Sequence, residues 1–402
     1  MNDDSSRPGD VQPAWGEATD LVRAGLARSQ FGETSEAIFL NSGFVYKSAE
    51  EAEARFKGEQ EGFVYSRYGN PTVRMFEQRL AALEGAEDCF AASSGMAAVW
   101  AALLCQLKAG DHVVAARALF SSCHFILTEL LPRYGIESTL VDGADLAAWQ
   151  AAVRPNTKVA FLETPSNPTL ELVDIAAVAD IVHQVGARLV VDNVFATPLL
   201  QKPLALGADV VIYSATKHID GQGRCLGGAI LSDKTFIAEV LQPIMRHTGP
   251  SLSPFNAWTL LKGLETLKLR VTHMSNSARA LAQVLEGNDK VARVFYPDLE
   301  SHPQFALAQK QMTGGSTLVA FALKGGKAEA FRFLNGLKII EISNNLGDAK
   351  SLVTHPTTTT HRSMTEQDRL AIGVTDGLVR LSVGLEEEAD LTADILAALA
   401  AV

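Results

Sequence analysis

The sequence predicts an α/β protein built on a mostly parallel sheet, and two observations carry that prediction. Short apolar runs rich in β-branched residues recur through the middle of the chain, at 112–116, 138–141, 159–162, 188–191, 210–213 and 228–231. Between them lie stretches with apolar residues at helical spacing: Val73, Phe76, Leu80 and Leu83, then Ile175, Val178, Ile181, Val182 and Val185. A strand joined to a parallel neighbour needs a crossover, and a helix of this length supplies it. Helices should therefore cover both faces of the sheet.

Taken in order, the chain opens with polar residues 1–15, which hold Pro8, Gly9 and Pro13 and are expected to be disordered. The basic stretch and apolar run of a secretory signal are missing there. A short helix is expected within 17–30 and another at 49–56. The segment 1–66 has too little apolar content for a core of its own and reads as an arm. A helix at 72–83 stops at Gly85, and Ser94 opens an apolar helix reaching about Leu107, closed by Gly110. Residues 256–286 read as one long helix or two, with a turn signal near Gly263. Beyond them, strand-like runs at 316–322 and 379–383 and a helix at 391–400 suggest a smaller α/β unit. The expected division is an arm at 1–66, a larger domain at 67–262 and a C-terminal domain at 263–402.

Composition narrows the function. The 402 residues carry a formal net charge of −11 with no long basic run, which argues against nucleic acid or an anionic membrane as partner. Any anionic substrate must be held by local arginines. No stretch of about 18 apolar residues offers a membrane span. The four cysteines, Cys89, Cys105, Cys123 and Cys225, have neither the Cys-x-x-Cys pattern nor metal-site spacing. Free thiols in a cytoplasmic protein without a metal are the expectation.

Two strand ends carry the chemistry. The run 210–213 leads into Ser214, Thr216 and Lys217, followed by Gly221 and Gly223. A lysine just past a buried strand loses solvation, so its amine becomes a nucleophile, and the hydroxyls beside it can bond a phosphate. Taken alone, Lys217 could equally be a solvated loop residue. The run 188–191 ends in Asp192, which alone could be a turn or cap residue. In a parallel sheet ligands sit at such strand ends. Pyridoxal 5'-phosphate (PLP) needs a lysine for its aldehyde and an acid for its ring nitrogen, so the pair favours PLP. A nucleotide-binding or dehydrogenase reading would need Gly-x-Gly-x-x-Gly after the first strand or a Walker lysine, and neither is present.

Several ordered motifs now make a resemblance specific. Tyr-Ser-Arg-Tyr-Gly-Asn-Pro-Thr at 65–72, Glu-Thr-Pro-Ser-Asn-Pro-Thr at 163–169, Val-Asp-Asn-Val-Phe-Ala-Thr-Pro at 191–198, Ser-Ala-Thr-Lys-His at 214–218 and Val-Arg-Leu-Ser-Val-Gly-Leu-Glu at 379–386 resemble the Cys/Met-metabolism family of PLP enzymes. The match runs from about residue 30 to the C-terminus. The resemblance implies an aspartate-aminotransferase-like fold (fold type I), with a smaller C-terminal domain. It implies that Lys217 carries the cofactor and Asp192 faces its ring nitrogen. Backbone amides of Gly95 and Met96, with Ser214 and Thr216, would bind the phosphate, joined by Tyr65 and Arg67 from a neighbouring subunit. Phe120 stands where the family often has a tyrosine. It can stack on the ring but cannot move a proton, so any acid role falls to Tyr65 or Lys217, which weakens the lyase readings. Asn167 would lie near the cofactor's phenolic oxygen or the substrate carboxylate. Arg380 would hold that carboxylate, assisted by Ser343. The run 357–360, with His361 and Arg362, is read as an edge of the acyl pocket.

Three more segments, at 217–224, 249–258 and 343–356, point within the family to the branch that replaces the succinate of O-succinyl-L-homoserine with sulfide to give L-homocysteine. The resemblance also implies a homotetramer built as a dimer of dimers. An acetyl ester as substrate, or cysteine as nucleophile in the manner of cystathionine γ-synthase, remains open at this point.

Overall fold

The computed structural model describes residues 15–402, so most of the expected disordered segment lies outside the described residues. Two sheets organise the chain. The first holds β1 (Asp88–Ala92), β2 (His112–Ala116), β3 (Glu137–Val141), β4 (Thr157–Glu163), β5 (Arg188–Asp192), β6 (Val210–Ser214) and β7 (Gly228–Ser232), in the order β1-β7-β6-β5-β4-β2-β3. β7 runs antiparallel to both its neighbours, and the other pairs are parallel. The second sheet holds β8 (Val291–Phe295), β9 (Leu318–Leu323), β10 (Glu341–Ile342), β11 (Leu352–Thr354) and β12 (Leu378–Ser382), in the order β10-β11-β12-β9-β8.

Why the middle strands lack an alternating polar pattern is visible in the packing. Ala160, Leu162, Leu189, Val191, Val211 and Tyr213 enter one core, beneath the helices Pro71–Glu84, Ile175–His183 and Pro254–Glu265. The intervening Val159, Phe161, Val190, Val210 and Ile212 enter a second core with the helix Gly95–Leu104. Side chains alternate by face and both faces are covered, so every position is apolar. Each such side chain contributes about 1.5–3 kcal/mol of burial. A strand that displays only polar ends can then place chemistry only at those ends.

The expected strands and the helix at 175–185 are present with shifts of one or two residues at their ends. Elsewhere the differences have local causes. β1 is unpredicted because Asp88-Cys-Phe-Ala-Ala contains no β-branched residue; it is fixed by full pairing with β7. The short helix expected within 17–30 is Glu17–Arg23. Gly25 takes a φ of +64°, and a Cβ there would lie 2.7 Å from the Gln78 Cβ, so the chain turns just beyond that helix. The helix opened by Ser94 ends at Leu104 rather than Leu107. Residues 254–286 are two helices, Pro254–Glu265 and Leu267–Glu286, parted at Thr266 and not at Gly263. The second helix buries Leu267 and Val271 in the first core, and Ala278, Leu281, Ala282 and Leu285 in the core of the second sheet.

Candidate active site

The carboxyl ends of β4, β5 and β6 place Glu163, Asp192 and Ser214 side by side, and Lys217 follows one turn beyond β6. Together with the start of the helix Gly95–Leu104 they wall a cavity of about 240 Å³. Gly95, Met96, Phe120, Asn167, Asp192, Ser214, Thr216, Lys217 and Arg380 all line it, so nine residues singled out in the sequence converge on one space.

At one end of the cavity, Ser94 caps the helix by accepting from the Ala97 N–H (3.1 Å). The amides of Gly95 and Met96 precede the first intrahelical bond and stay free, at the positive end of the helix dipole. A Cβ on Gly95 would stand 2.7 Å from the Ser214 Cβ and 2.8 Å from its Oγ. Only glycine therefore lets the helix start lie against the end of β6. Thr216 Oγ1 donates to the Gly227 carbonyl (3.2 Å) and accepts from the Gly227 N–H (3.1 Å). This bond fixes the hydroxyl beside the cradle.

Lys217 lies mid-cavity. Burial, and secondarily the charge of Arg380, lower its amine from 10.5 to about 8. Its Nζ donates to Asn345 Oδ1 at 2.6 Å. The turn behind it is braced by buried Arg270, whose guanidinium donates to the carbonyls of His218 (2.7 Å) and Gly263 (2.8 Å). Asp192 Oδ1 accepts from the Val194 N–H (3.1 Å), and burial pushes its carboxyl above the usual range.

Arg380 comes from β12, in the middle of the second sheet, and is 2 % exposed. Its Nη1 donates to Asn167 Oδ1 (2.8 Å) and its Nη2 to the Asn344 carbonyl (2.9 Å). Nε is buried without a partner. An unpaired buried guanidinium N–H is costly, and an anion in the cavity would satisfy it. The residue set thus fits a phosphorylated aldehyde bound to an amino acid: free amides and the Ser214 hydroxyl for the phosphate, with Thr216 beside them, a nucleophilic amine, an acid, an aromatic face and an orphaned donor for a carboxylate.

Three sequence-predicted residues lie elsewhere. Tyr65 and Arg67 line a shallow cavity with Leu40, Ser42 and Ser251. Arg67 stacks 4.8 Å from the Tyr68 ring centroid and 5.4 Å from that of Tyr65, and donates to the Arg246 carbonyl. Ser343 accepts from the Asn345 N–H (3.3 Å) and lines a separate open cavity with Lys338 and Leu352. It is Asn345, two residues on, that reaches the cavity, through its contact with Lys217. Thr360, from the run read as an edge of the acyl pocket, lines the cavity, while Glu163 and Asn345 are site residues to which sequence reasoning gave no role of their own. Of these, Glu163 had a signal: an acid closing a buried strand next to the one closed by Asp192.

Comparisons with known proteins place the chain in a family. The family model described as Cys/Met metabolism PLP-dependent enzyme matches residues 18–400. An O-succinylhomoserine sulfhydrylase of Mycobacterium tuberculosis is 56% identical over 405 residues, covering 99% of this chain and 100% of that protein. One from Pseudomonas aeruginosa is 50% identical, covering 96% of this chain and 95% of that protein. A solved structure from Campylobacter jejuni that carries N'-pyridoxyl-lysine-5'-monophosphate superposes with a TM-score of 0.92 at 31% identity. It covers 96% of this chain and 100% of that one.

Proposed function

The chain belongs to the Cys/Met-metabolism family of PLP-dependent enzymes, and from that premise we propose that it converts O-succinyl-L-homoserine and sulfide to L-homocysteine and succinate, a carbon–sulfur bond-forming step of methionine biosynthesis. The observation that carries the reading is the 56% identity, from end to end, to the Mycobacterium tuberculosis sulfhydrylase.

The chain's own residues divide the work. The Gly95 and Met96 amides and the Ser214 hydroxyl hold the cofactor phosphate, joined by Thr216 once its O–H turns from the Gly227 carbonyl, and Phe120 covers a ring face. Asp192, as an anion, keeps the ring nitrogen protonated. When bound, the cofactor stores the electron pairs released at Cα and Cβ, so that the bond from Cγ to succinate can break and sulfide can take its place. Arg380 Nε, braced by Asn167, holds the substrate α-carboxylate and orients Cα–H toward Lys217. As a free amine, Lys217 Nζ takes the Cα proton, passes that proton on to the bound cofactor, and so is a base again for a Cβ proton. Asn345 Oδ1 accepts one amine hydrogen, which directs the nitrogen lone pair toward the substrate. An amide does this without the negative charge that would keep a proton on the amine.

The proposal extends to assembly. Tyr65 and Arg67 serve the phosphate of a neighbouring subunit in a cytoplasmic homotetramer. Support comes from their lining a cavity that shares no residue with their own chain's site, and from the exposed apolar side chain of Leu40 beside them. The four cysteines are free, which suits a reducing compartment.

The test offers purified enzyme the succinyl and acetyl esters of homoserine, each with sulfide or cysteine, and compares kcat/KM. Homocysteine formed fastest from the succinyl ester and sulfide is expected. A large preference for cysteine would make the enzyme a cystathionine γ-synthase.

A further inference from the structure

We propose that Glu163 is a positioning residue: its two carboxyl oxygens tie the segment carrying Phe120 to the segment carrying Asn167, and so set the spacing between the ring-stacking face and the carboxylate clamp. The inference rests on the proposed reaction only for its kinetic readout.

The geometry is that of a bridge. Glu163 Oε2 accepts from the Phe120 N–H and Oε1 from the Asn167 N–H, both at 2.9 Å. The Asn167 side chain accepts from Arg380 in turn. An unbroken path, Phe120–Glu163–Asn167–Arg380, therefore runs from the first sheet to the second through the wall of the cavity. Phe120 and Asn167 both sit in loops beyond strand ends, where no ladder holds their backbone. Without Glu163 the buried Asn167 N–H would be unpaired, at a cost of about 1–3 kcal/mol, and the half-buried Phe120 N–H would lose its partner too.

Glu163 does this work by shape and not by charge. It is 4 % exposed and makes no ion pair among the described residues. It lies directly opposite Asp192 in the β4–β5 register. Burial, then the Asp192 charge, push its carboxyl well above the usual range, so it yields the negative charge to Asp192. A neutral carboxyl can still accept both N–H groups. An amide cannot, because it has one acceptor oxygen and its NH₂ would face an N–H donor. Glu163→Gln is therefore a near-isosteric change that must release one end of the bridge.

The experiment measures Glu163→Gln and Glu163→Asp beside wild type. One readout is the visible circular dichroism of bound pyridoxal phosphate, with the affinity of the apoprotein for it, neither of which needs turnover. The second is the division of any kinetic loss between KM for the succinyl ester and kcat. We expect a changed dichroic band and a KM raised about tenfold, with the apoprotein melting within a few degrees of wild type. Asp, one methylene shorter, should change the band in the same direction, and it decides the matter if the Gln variant does not fold. Wild-type dichroism, affinity and KM in the folded fraction of either variant, whatever its melting temperature, would overturn the proposal and leave Glu163 a structural residue. If wild type itself makes no homocysteine, the proposed reaction fails, and the dichroism still decides the role of Glu163.

Discussion

The start of the helix Gly95–Leu104 and the arm at 65–67 are both assigned to phosphate, yet the chain builds them in opposite ways. The helix start is packed against β6 so closely that a single Cβ at Gly95 would collide with Ser214. Its donors are in place within one chain. The arm holds its arginine away from that chain's cavity, stacked on the Tyr65 and Tyr68 rings, with Arg246 3.9 Å over Tyr68. Its neighbours include a side chain that a lone chain leaves in water: Leu40 is 69% exposed. The difference teaches that a donor can be pre-organised by its own core or pre-organised for another's. The two kinds should respond differently to mutation.

The largest effect should come from inside the packed half. Lys217→Ala is expected to lower kcat by at least ~10³-fold and to remove the yellow absorbance of the lysine-bound cofactor, with far-ultraviolet circular dichroism unchanged. Cofactor trapped by borohydride on a different lysine would break the assignment. Arg380→Ala comes next: loss of a charge-assisted contact worth roughly 1.5–3 kcal/mol should raise KM for the ester about 10- to 150-fold, while cofactor affinity changes little. A comparable loss of cofactor affinity would mean that Arg380 belongs to the cradle.

The arm calls for a different experiment. Arg67→Ala and Lys217→Ala, each inactive alone, should regain partial activity when mixed under conditions that exchange subunits. The hybrid then contains one intact site. Hybrids that form and stay inactive would put Arg67 back in its own chain. The smallest effect sharpens the packed half further. Only the neutral amine of Lys217 attacks an aldehyde, and burial lowers that amine to about 8. Below that pH the amine is protonated and slow; above it the amine is free. The rate of apoenzyme reloading with pyridoxal phosphate should thus rise with pH and level off above about 8, where a solvated lysine would keep rising toward 10.5.

Legibility in the sequence follows the same divide. Strand ends are readable, because a run buried on both faces leaves only its last residue free for chemistry. Asp192, Ser214 and Lys217 stood out for that reason. Arg380 stood out as a charge inside an apolar strand. Loops carry no such rule. Ser343 and Asn345 have equal claims on the page of letters, and only the path of the chain from β10 to β11 turns Asn345 toward the lysine. Glu163 closes a readable strand, but its partners are backbone N–H groups from two loops, which no residue pattern encodes. Helix ends are less legible: the apolar pattern opened by Ser94 continues to Leu107, and the helix stops at Leu104.

The helix Leu267–Glu286, rooted in both cores, has a consequence for the newborn protein. Translation delivers residues from the N-terminus onward, and domains tend to fold as they emerge. The cradle, the acid and the lysine all precede Ser232, the end of the first sheet, and the covering helix Pro254–Glu265 follows soon after. Arg380 leaves the ribosome last of the site residues. The part of the cavity wall proposed for the cofactor is thus synthesised before Asn344, Leu346, Thr360 and Arg380 complete the side proposed for an amino acid.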